Sequence, residues 1–349
     1  MFNVQCFFSI FAPMKRITIK DIAKRLIVSV STVSRALNND PTIRRETRDM
    51  IVATAQEMGY RRNPEAMNLK GGYSKTIGVL VPEMTTPYAA RVIEGIQHVC
   101  YANNYKVLIA SASEDWEKER VNLEIMKQFM IDGIIVCSVD YHRNTDLFKE
   151  IIQSGTPIVF YDRIPYGIDA PQVIIDDETK AFFLVEHLIR NGCKHIAYIG
   201  ADANVVYNSV LRHRGYLDAL ERYGLTYNPA IDIQADGLSY GSGAAAVDRI
   251  LGKQFDAIFA FTDTLAIGAM NRLKSLGRRI PQDVAVAGFS GTEISTIVSP
   301  QLTTVEPNQF EMGKRAADFV IKHINHYDEI NEKVIIDANI IYRDSTENF

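Results

Sequence analysis

Thr18-Ile19-Lys20-Asp21-Ile22-Ala23-Lys24, followed by Val28-Ser29-Val30-Ser31-Thr32-Val33-Ser34-Arg35-Ala36-Leu37-Asn38, is the stretch around which this 349-residue chain is read. Thr18 and Asp21, three apart, have the spacing of a capping box and predict a first helix with Ile22, Ala23 and Leu26 on its apolar face. Ser29 is a natural N-cap for a second helix whose Val33 and Leu37 face inward. That leaves Val30, Ser31, Thr32, Ser34 and Arg35 turned outward. An arginine can read a guanine edge through two parallel hydrogen bonds, a valine can touch a thymine methyl, and hydroxyls suit phosphate oxygens. A third helix is expected over Glu46–Met58, with Ile51, Ala55 and Met58 inward and Gly59 as its stop. Two short helices across a tight turn, braced by a third, present a recognition helix to the major groove.

The charge distribution points the same way. Residues 14–72 hold 12 Lys/Arg against 6 Asp/Glu, a local charge of +6, while the whole chain carries -4. Residues 1–13 have no charged side chain, so residues 73–349 stand at -10. A basic block on an acidic body implies a polyanion partner confined to one end. The length, with 47% apolar and 23% charged residues, fits two or three soluble domains with sizeable cores. Cys6, Cys100, Cys137 and Cys193 form no CxxC pair and no metal-ligand spacing, which fits a reducing cytoplasm, with the last three as small core residues. No run reaches the ~18 apolar residues of a membrane span. Met1–Pro13 is apolar but lacks the basic start of a signal peptide, and Met14-Lys15-Arg16 reads as a natural start. Residues 1–13 are therefore expected to be a disordered extension or an upstream-start artefact.

Asn63-Pro64-Glu65-Ala66-Met67-Asn68-Leu69-Lys70 runs into Gly71-Gly72. Eight residues cannot hold a helix alone. The segment is either a plain linker or one that becomes helical only on DNA and wedges Leu69 into the minor groove.

Together these runs resemble the headpiece and hinge of the LacI/GalR family of bacterial repressors: DIAK (21–24), VSVSTVSRALN (28–38), ETR (46–48), GYRRNPEA (59–66) and Leu69. The resemblance implies that Val30, Ser31 and Arg35 read bases. Thr18, Ser29, Thr32, Ser34 and Asn38 become phosphate contacts, and Leu69 becomes the minor-groove wedge. Three positions depart from the family pattern. Ile27 replaces the usual glycine of the turn, which predicts a turn built slightly differently, because a β-branched residue is strained in the left-handed region. Arg44 replaces a serine N-cap, and Met67 replaces a frequent hinge arginine.

From Lys75 onward short apolar runs alternate with amphipathic stretches. The runs are 77–81, 106–110, 133–136, 158–161, 172–175, 195–199, 231–234, 257–261 and 284–287; helix-like segments include 91–103, 117–130, 180–190, 214–223 and 265–276. Such alternation predicts parallel sheets with helices on both faces, an α/β class, in two lobes. No strand-to-helix junction carries GxGxxG or GxxxxGK[ST], so no nucleotide cradle is expected. Ligands of such sheets sit beyond the carboxyl ends of strands. The residues placed there are Ser111, Ser113, Ser138, Asp162, Asp236, Asp263 and Ser290, with Tyr88 and Arg212 in nearby loops. Carboxylates, a guanidinium, hydroxyls and an aromatic ring suit a polyhydroxyl ligand. Asp263 could equally be the N-cap of the following helix.

The family resemblance continues through Thr76–Pro82, Asp132–Ile135, Phe160–Arg163, Glu186–Ile189, Arg212–Tyr216, Ala266–Met270, Pro281–Val286, Gly288-Phe289 and Leu302–Thr304. It implies a two-lobed core like that of periplasmic sugar-binding proteins, with the effector between the lobes. The implied effector residues are Tyr88, Ser113, Asp162, Arg212, Asp263 and Ser290. Ser290 stands where an aspartate is frequent, and Thr262 where an asparagine is. The implied division is 1–13 extension, 14–62 headpiece, 63–74 hinge helix and linker, 75–174 with 306–336 as the N-terminal lobe, and 175–305 with 337–349 as the C-terminal lobe. The chain stops soon after Tyr342-Arg343 with no heptad tail, so a homodimer is expected.

The expectation is a cytoplasmic, dimeric transcription regulator. It reads a near-palindromic operator in double-stranded DNA and is controlled by a sugar or sugar derivative, as a repressor or otherwise as an activator or corepressor-dependent regulator. No cofactor, metal, membrane or catalytic role is expected. A transport solute-binding protein would share the core but has no use for the basic headpiece. An enzyme would need Asp162, Asp263 and His187 as acid/base groups, and His187 lies within an apolar helical run. Trp116, beside Glu114-Asp115, is expected at the cleft edge.

Overall fold

In the computed structural model the protein is described over residues 17–60, 74–325 and 332–347. It divides into two compact units, Met1–Ser74 and Lys75–Phe349.

The first unit is built on α1 (Ile19–Leu26), α2 (Val30–Leu37) and α3 (Arg45–Glu57). Its core is Ile22, Ala23, Val33, Ala36, Ile51 and Ala55, with Leu26, Leu37 and Met58 packed against it. The turn between α1 and α2 corrects the expectation drawn from Ile27. Ile27 adopts the left-handed conformation, φ 54° and ψ 44°, with the side chain 93% exposed. Its amide and that of Val28 both donate to the carbonyl of Ala23. Two hydrogen bonds on one carbonyl hold a conformation that a β-branched residue would otherwise leave. Arg44 occupies the N-cap of α3 without a side-chain cap bond. Gly59 ends α3 at φ 68°.

The second unit contains two six-stranded sheets. The first sheet takes β1 (Thr76–Val81), β2 (Lys106–Ser111), β3 (Gly133–Val136), β4 (Ile158–Tyr161), β5 (Gln172–Ile174) and β11 (Lys333–Ile335), in the order β11-β5-β4-β3-β1-β2, all parallel. The second takes β6 (Ile196–Gly200), β7 (Asp232–Gln234), β8 (Ala257–Ala260), β9 (Ala285–Phe289), β10 (Thr303–Glu306) and β12 (Asn339–Ile341), in the order β12-β10-β9-β8-β6-β7. Only β12 is antiparallel to its neighbour. The central strands are buried throughout, which is why they read as unbroken apolar runs.

The helices are α4 (Pro87–Ala102), α5 (Trp116–Gln128), α6 (Thr145–Gln153), α7 (Asp177–Arg190), α8 (Tyr207–Arg222), α9 (Tyr240–Ile250), α10 (Asp263–Ser275) and α11 (Gln309–Asn325). The chain passes between lobes three times: from β5 to α7, from β10 to α11, and from β11 to β12. These passes bring strands near both the middle and the end of the chain into one sheet. Cys100, Cys137 and Cys193 are buried free thiols. Among the described residues no helix is long and apolar enough to cross a membrane.

α11 packs on α4 at backbone distance. A Cβ on Gly95 would lie 2.1 Å from the Phe310 carbonyl oxygen, and one on Gly313 would lie 2.0 Å from that of Val92. Neither oxygen can move without shifting its helix. Gly313→Ala is expected to lower the unfolding free energy of the core by about 3 kcal/mol, measured by urea denaturation. An unchanged midpoint would show that the helices separate freely.

Candidate nucleic-acid interface and ligand cleft

Ser29 caps α2: its Oγ accepts from the Thr32 amide at 3.0 Å and lies 2.7 Å from both Ser31 Oγ and Thr32 Oγ1. The hydroxyls therefore form one cluster at the positive end of the helix, a favourable place for a phosphate. Val30 is 39% exposed, and Ser31, Arg35 and Asn38 are exposed, while Thr32 and Ser34 are half-buried. Val30, Ser31, Ser34 and Arg35 thus occur on α2 itself, with Asn38 as its C-cap. Thr18 is differently placed. Both its amide (2.8 Å) and its hydroxyl (2.7 Å) donate to Asp21 Oδ2, so its protons are committed to the α1 cap. Leu69, with positions 63–73 and residues 1–13, lies outside the described residues.

Between the lobes lies a cleft of about 430 Å³, within the size range of small-molecule sites. Loops at the carboxyl ends of β1, β4, β8 and β9 form its walls. Of the residues expected there, Asp162 and Ser290 line it from strand ends, and Tyr88 and Arg212 line it from helices α4 and α8 rather than from the expected loops. Asp162 follows β4 at φ 57°, and its Oδ1 accepts from Asn208 Nδ2 of the other lobe at 3.0 Å. A non-glycine residue held in this conformation costs of order 1–3 kcal/mol, and such strain gathers at binding sites. Arg212 is buried. Its Nε donates to Asp177 Oδ1 at 2.7 Å and its Nη1 to the Phe261 carbonyl at 2.7 Å. The guanidinium also lies 3.7 Å from the ring centroid of Phe289 and 4.4 Å from that of Phe261. Burial pushes the Asp177 carboxyl up to about 6, against the opposing pull of Arg212. Tyr88 donates to Met312 Sδ at 3.3 Å, and burial keeps its phenol protonated.

Two of the expected effector residues are not brought to the wall. Ser113 is exposed in the turn after β2, and the neighbouring Glu114 lines the cleft instead. Asp263 is buried behind the wall, accepting from the Thr292 amide (2.9 Å), the Thr292 hydroxyl (3.0 Å) and the Thr304 hydroxyl. Nor is it the N-cap. Thr262 holds that position, and Asp263 is the first residue of α10. Ser111, Ser138 and Asp236 also lie outside the cleft lining, as does Trp116, whose ring is covered by the Arg143 guanidinium at 4.8 Å. Sequence reasoning missed Arg163 with Glu114, joined by two hydrogen bonds of 2.7 and 3.1 Å, and Asn208. The Arg163–Glu114 pair spans 49 positions and leaves no spacing signal; Arg163 stood only inside the Phe160–Arg163 run. The acid/base trio of an enzyme is not assembled: His187 Nε2 pairs with Thr346 Oγ1 at 2.8 Å, and Asp263 is enclosed.

Residues 18–63 match the signature "Bacterial regulatory proteins, lacI family", and residues 185–346 match "Periplasmic binding protein-like domain". Catabolite control protein A of Priestia megaterium is 30% identical over 333 residues, covering 95% of this chain and 99% of that protein. The chain belongs to the lacI family of bacterial regulatory proteins. Among solved structures, the transcriptional regulator CelR in its cellobiose complex is 25% identical, with a TM-score of 0.70 over 95% of this chain and all of that one. The lac repressor dimer bound to operator and the anti-inducer ONPF is 23% identical with a TM-score of 0.79, over 95% and 99%, a likeness of fold. This lacI-family chain is a DNA-binding regulator with an effector-binding core.

A second cavity of about 210 Å³ shares Asp162 and Asn208 with the cleft. Tyr141, after β3 in one lobe, stacks on Tyr207 at the start of α8 in the other, with centroids 4.6 Å apart and planes 9° apart. The Tyr141 amide also donates to the Val205 carbonyl at 2.9 Å. In this lacI-family core the loop carrying Tyr141 is anchored by Glu119. Its carboxylate accepts from the Val139 amide and Asn144 Nδ2, each at 2.8 Å. Burial raises the Glu119 carboxyl to about 7, well above the 4.5 of an unfolded chain. The folded protein therefore binds an extra proton between these values. The associated stability is complete below about pH 4.5 and is lost as pH rises through 7, about 3 kcal/mol in total. Half-buried His187, whose pKa burial lowers, acts with the opposite sign. Glu119→Gln is expected to flatten the fall in stability between pH 5 and 8 relative to the parent, measured by urea melts. Parallel profiles for the two proteins would rule out Glu119 as the source.

Proposed function

We propose that the chain is a homodimeric repressor of carbohydrate-related genes, acting in the cytoplasm without catalysis. Each headpiece reads one half of a near-palindromic operator. Val30, Ser31 and Arg35 serve as base readers, with Ser29, Thr32, Ser34 and Asn38 on phosphates. Thr18 joins them only by releasing Asp21, and Leu69 enters the minor groove at the operator centre. The effector is a saccharide held by Tyr88, Asp162, Arg212 and Ser290. The observation that carries this reading is the Asp162–Asn208 contact. A carboxylate of one lobe and an amide of the other meet at the cleft floor, so a hydroxyl ligand there competes with a bond between lobes. Ligand binding then biases the lobe angle, and operator affinity responds through a coupling of ~1–3 kcal/mol. The CelR–cellobiose complex supports the ligand class, and the operator-bound lac repressor dimer supports the assembly.

The test is a titration of operator DNA with and without a saccharide that raises the melting temperature of the core. The saccharide is expected to shift operator affinity roughly 5- to 150-fold. Arg35→Ala should leave saccharide affinity unchanged and relax discrimination at one base pair per half-site by ~1–3 kcal/mol. Uniform weakening on every sequence would make Arg35 a phosphate contact.

The second copy has a surface to meet. Val121, Ile125 and Phe129 recur every four residues along α5 and its C-cap, exposed beside Met130 and beside Leu108 on edge strand β2. An apolar stripe of this kind on a soluble chain marks an interface. Phe129→Asp is expected to yield monomers in sedimentation and to weaken operator binding, while saccharide affinity holds. A dimer of unchanged stability would place the interface elsewhere.

A further inference from the structure

The positive charges of the cleft are outnumbered by carboxylates and partly engaged inside the protein. Among the described residues, its walls carry three carboxylates, Glu83, Glu114 and Asp162, against two guanidiniums, Arg163 and Arg212, with no lysine or histidine. Arg163 is engaged twice by Glu114, at 2.7 and 3.1 Å. Arg212 is engaged by Asp177 and the Phe261 carbonyl, and its face is covered by two rings. Arg163 turns to a ligand only by giving up both bonds to Glu114, whereas Arg212 keeps its bonds to Asp177 and the Phe261 carbonyl and has further N–H donors for a ligand hydroxyl.

Helix N-termini are the other source of positive potential. α4 opens on the cleft with Thr86 as its cap, accepting from the Ala89 amide at 3.2 Å, and just before it Glu83 accepts the Thr85 amide at 2.9 Å and hydroxyl at 3.0 Å. Those bonds hold the Glu83 carboxyl below its usual range, so it is an anion at neutral pH. α10 also opens there, and its first residue is the enclosed carboxylate of Asp263. α9 has a serine cap alone, Ser239, and no acid in its first turn. The remaining polar lining is mostly hydroxyl and amide, including Thr85, Thr264, Ser290, Thr292 and Asn208. These groups donate and accept but carry no charge.

We infer that the cleft selects an uncharged saccharide and rejects its phosphorylated form, with the Arg163–Glu114 pair as the main determinant of that choice. The inference rests on the carbohydrate reading above and sharpens it. A phosphate ester entering the cleft meets three carboxylates against two guanidiniums, one of them held twice by Glu114 and the other tethered to Asp177. A neutral polyol meets an acceptor at Asp162, donors from hydroxyls and Asn208, and aromatic faces at Tyr88 and Phe261.

The test uses the full chain and matched probes: glucose, ribose and cellobiose against glucose 6-phosphate, ribose 5-phosphate and inorganic phosphate. Binding is read by thermal shift and calorimetry. A neutral sugar should bind at least 100-fold more tightly than its phosphate ester, and inorganic phosphate should give no shift. A phosphate ester binding as tightly as its neutral parent overturns the charge inference and leaves the carbohydrate reading standing. Silence from every sugar, neutral and phosphorylated, overturns the carbohydrate reading itself. Glu114→Gln releases Arg163 and should raise affinity for the phosphate ester at least 10-fold. Glu83→Gln removes a rim charge without releasing a cation and should raise it only a few-fold. If Glu114→Gln fails to fold, Glu83→Gln decides by sign: unchanged or weaker binding of the ester contradicts the inference.

Discussion

Arg212 sets a full positive charge in the middle of the core, and the protein answers it with its own atoms. Asp177 takes one edge of the guanidinium, the Phe261 carbonyl another, and the Phe289 and Phe261 rings cover its face. All of these partners belong to the C-terminal lobe, so the pair fixes the floor of that lobe before any ligand arrives. Arg212 on α8, Asp177 on α7 and the β8–α10 junction are thereby locked in register. Asn208, one turn earlier on α8, donates to Asp177 as well as to Asp162. This reach across the floor to the other lobe is thus made from a preformed base, as preorganised binding requires.

Among the described residues several identifiable contacts join the lobes. Asp162 meets Asn208, Tyr141 meets Tyr207 and Val205, and Gln309 Nε2 reaches the Ser290 carbonyl near the pass into α11. A hinge works when motion is confined to a few joints between rigid bodies. The backbone-tight crossing of α4 and α11 keeps the N-terminal lobe rigid, so displacement falls on these contacts. The Glu119 anchor belongs to the same set, because it positions the loop from which Tyr141 reaches across.

What the sequence made legible follows physical range. The headpiece could be read because its determinants are local: Thr18 with Asp21, Ser29 with Thr32, and an apolar stripe four residues apart. The central strands could be read because burial on both faces removes every polar residue from them. Asp162 and Arg212 were reachable from strand ends and from family resemblance. Asp263 was not placed correctly, because whether a carboxylate at a helix start faces ligand or interior depends on Thr292 and Thr304, which lie 29 and 41 positions away. The Arg163–Glu114 pair was invisible for the same reason. Ile27 failed differently. A local rule forecast strain, and two hydrogen bonds to one carbonyl outweighed it.

The two ends of the molecule use charge in opposite ways, and this follows from what each must recognise. Among the described residues of the headpiece, Lys20, Lys24, Arg25, Arg35, Arg44 and Arg45 are exposed, where DNA binding draws on counterion release and falls steeply with salt. In the cleft Arg163 pairs with Glu114 and the buried Arg212 with Asp177, where screening has less hold, while Glu83 and Asp162 add two further carboxylates. Salt therefore acts on the exposed charges of the headpiece far more than on the buried Arg212–Asp177 pair.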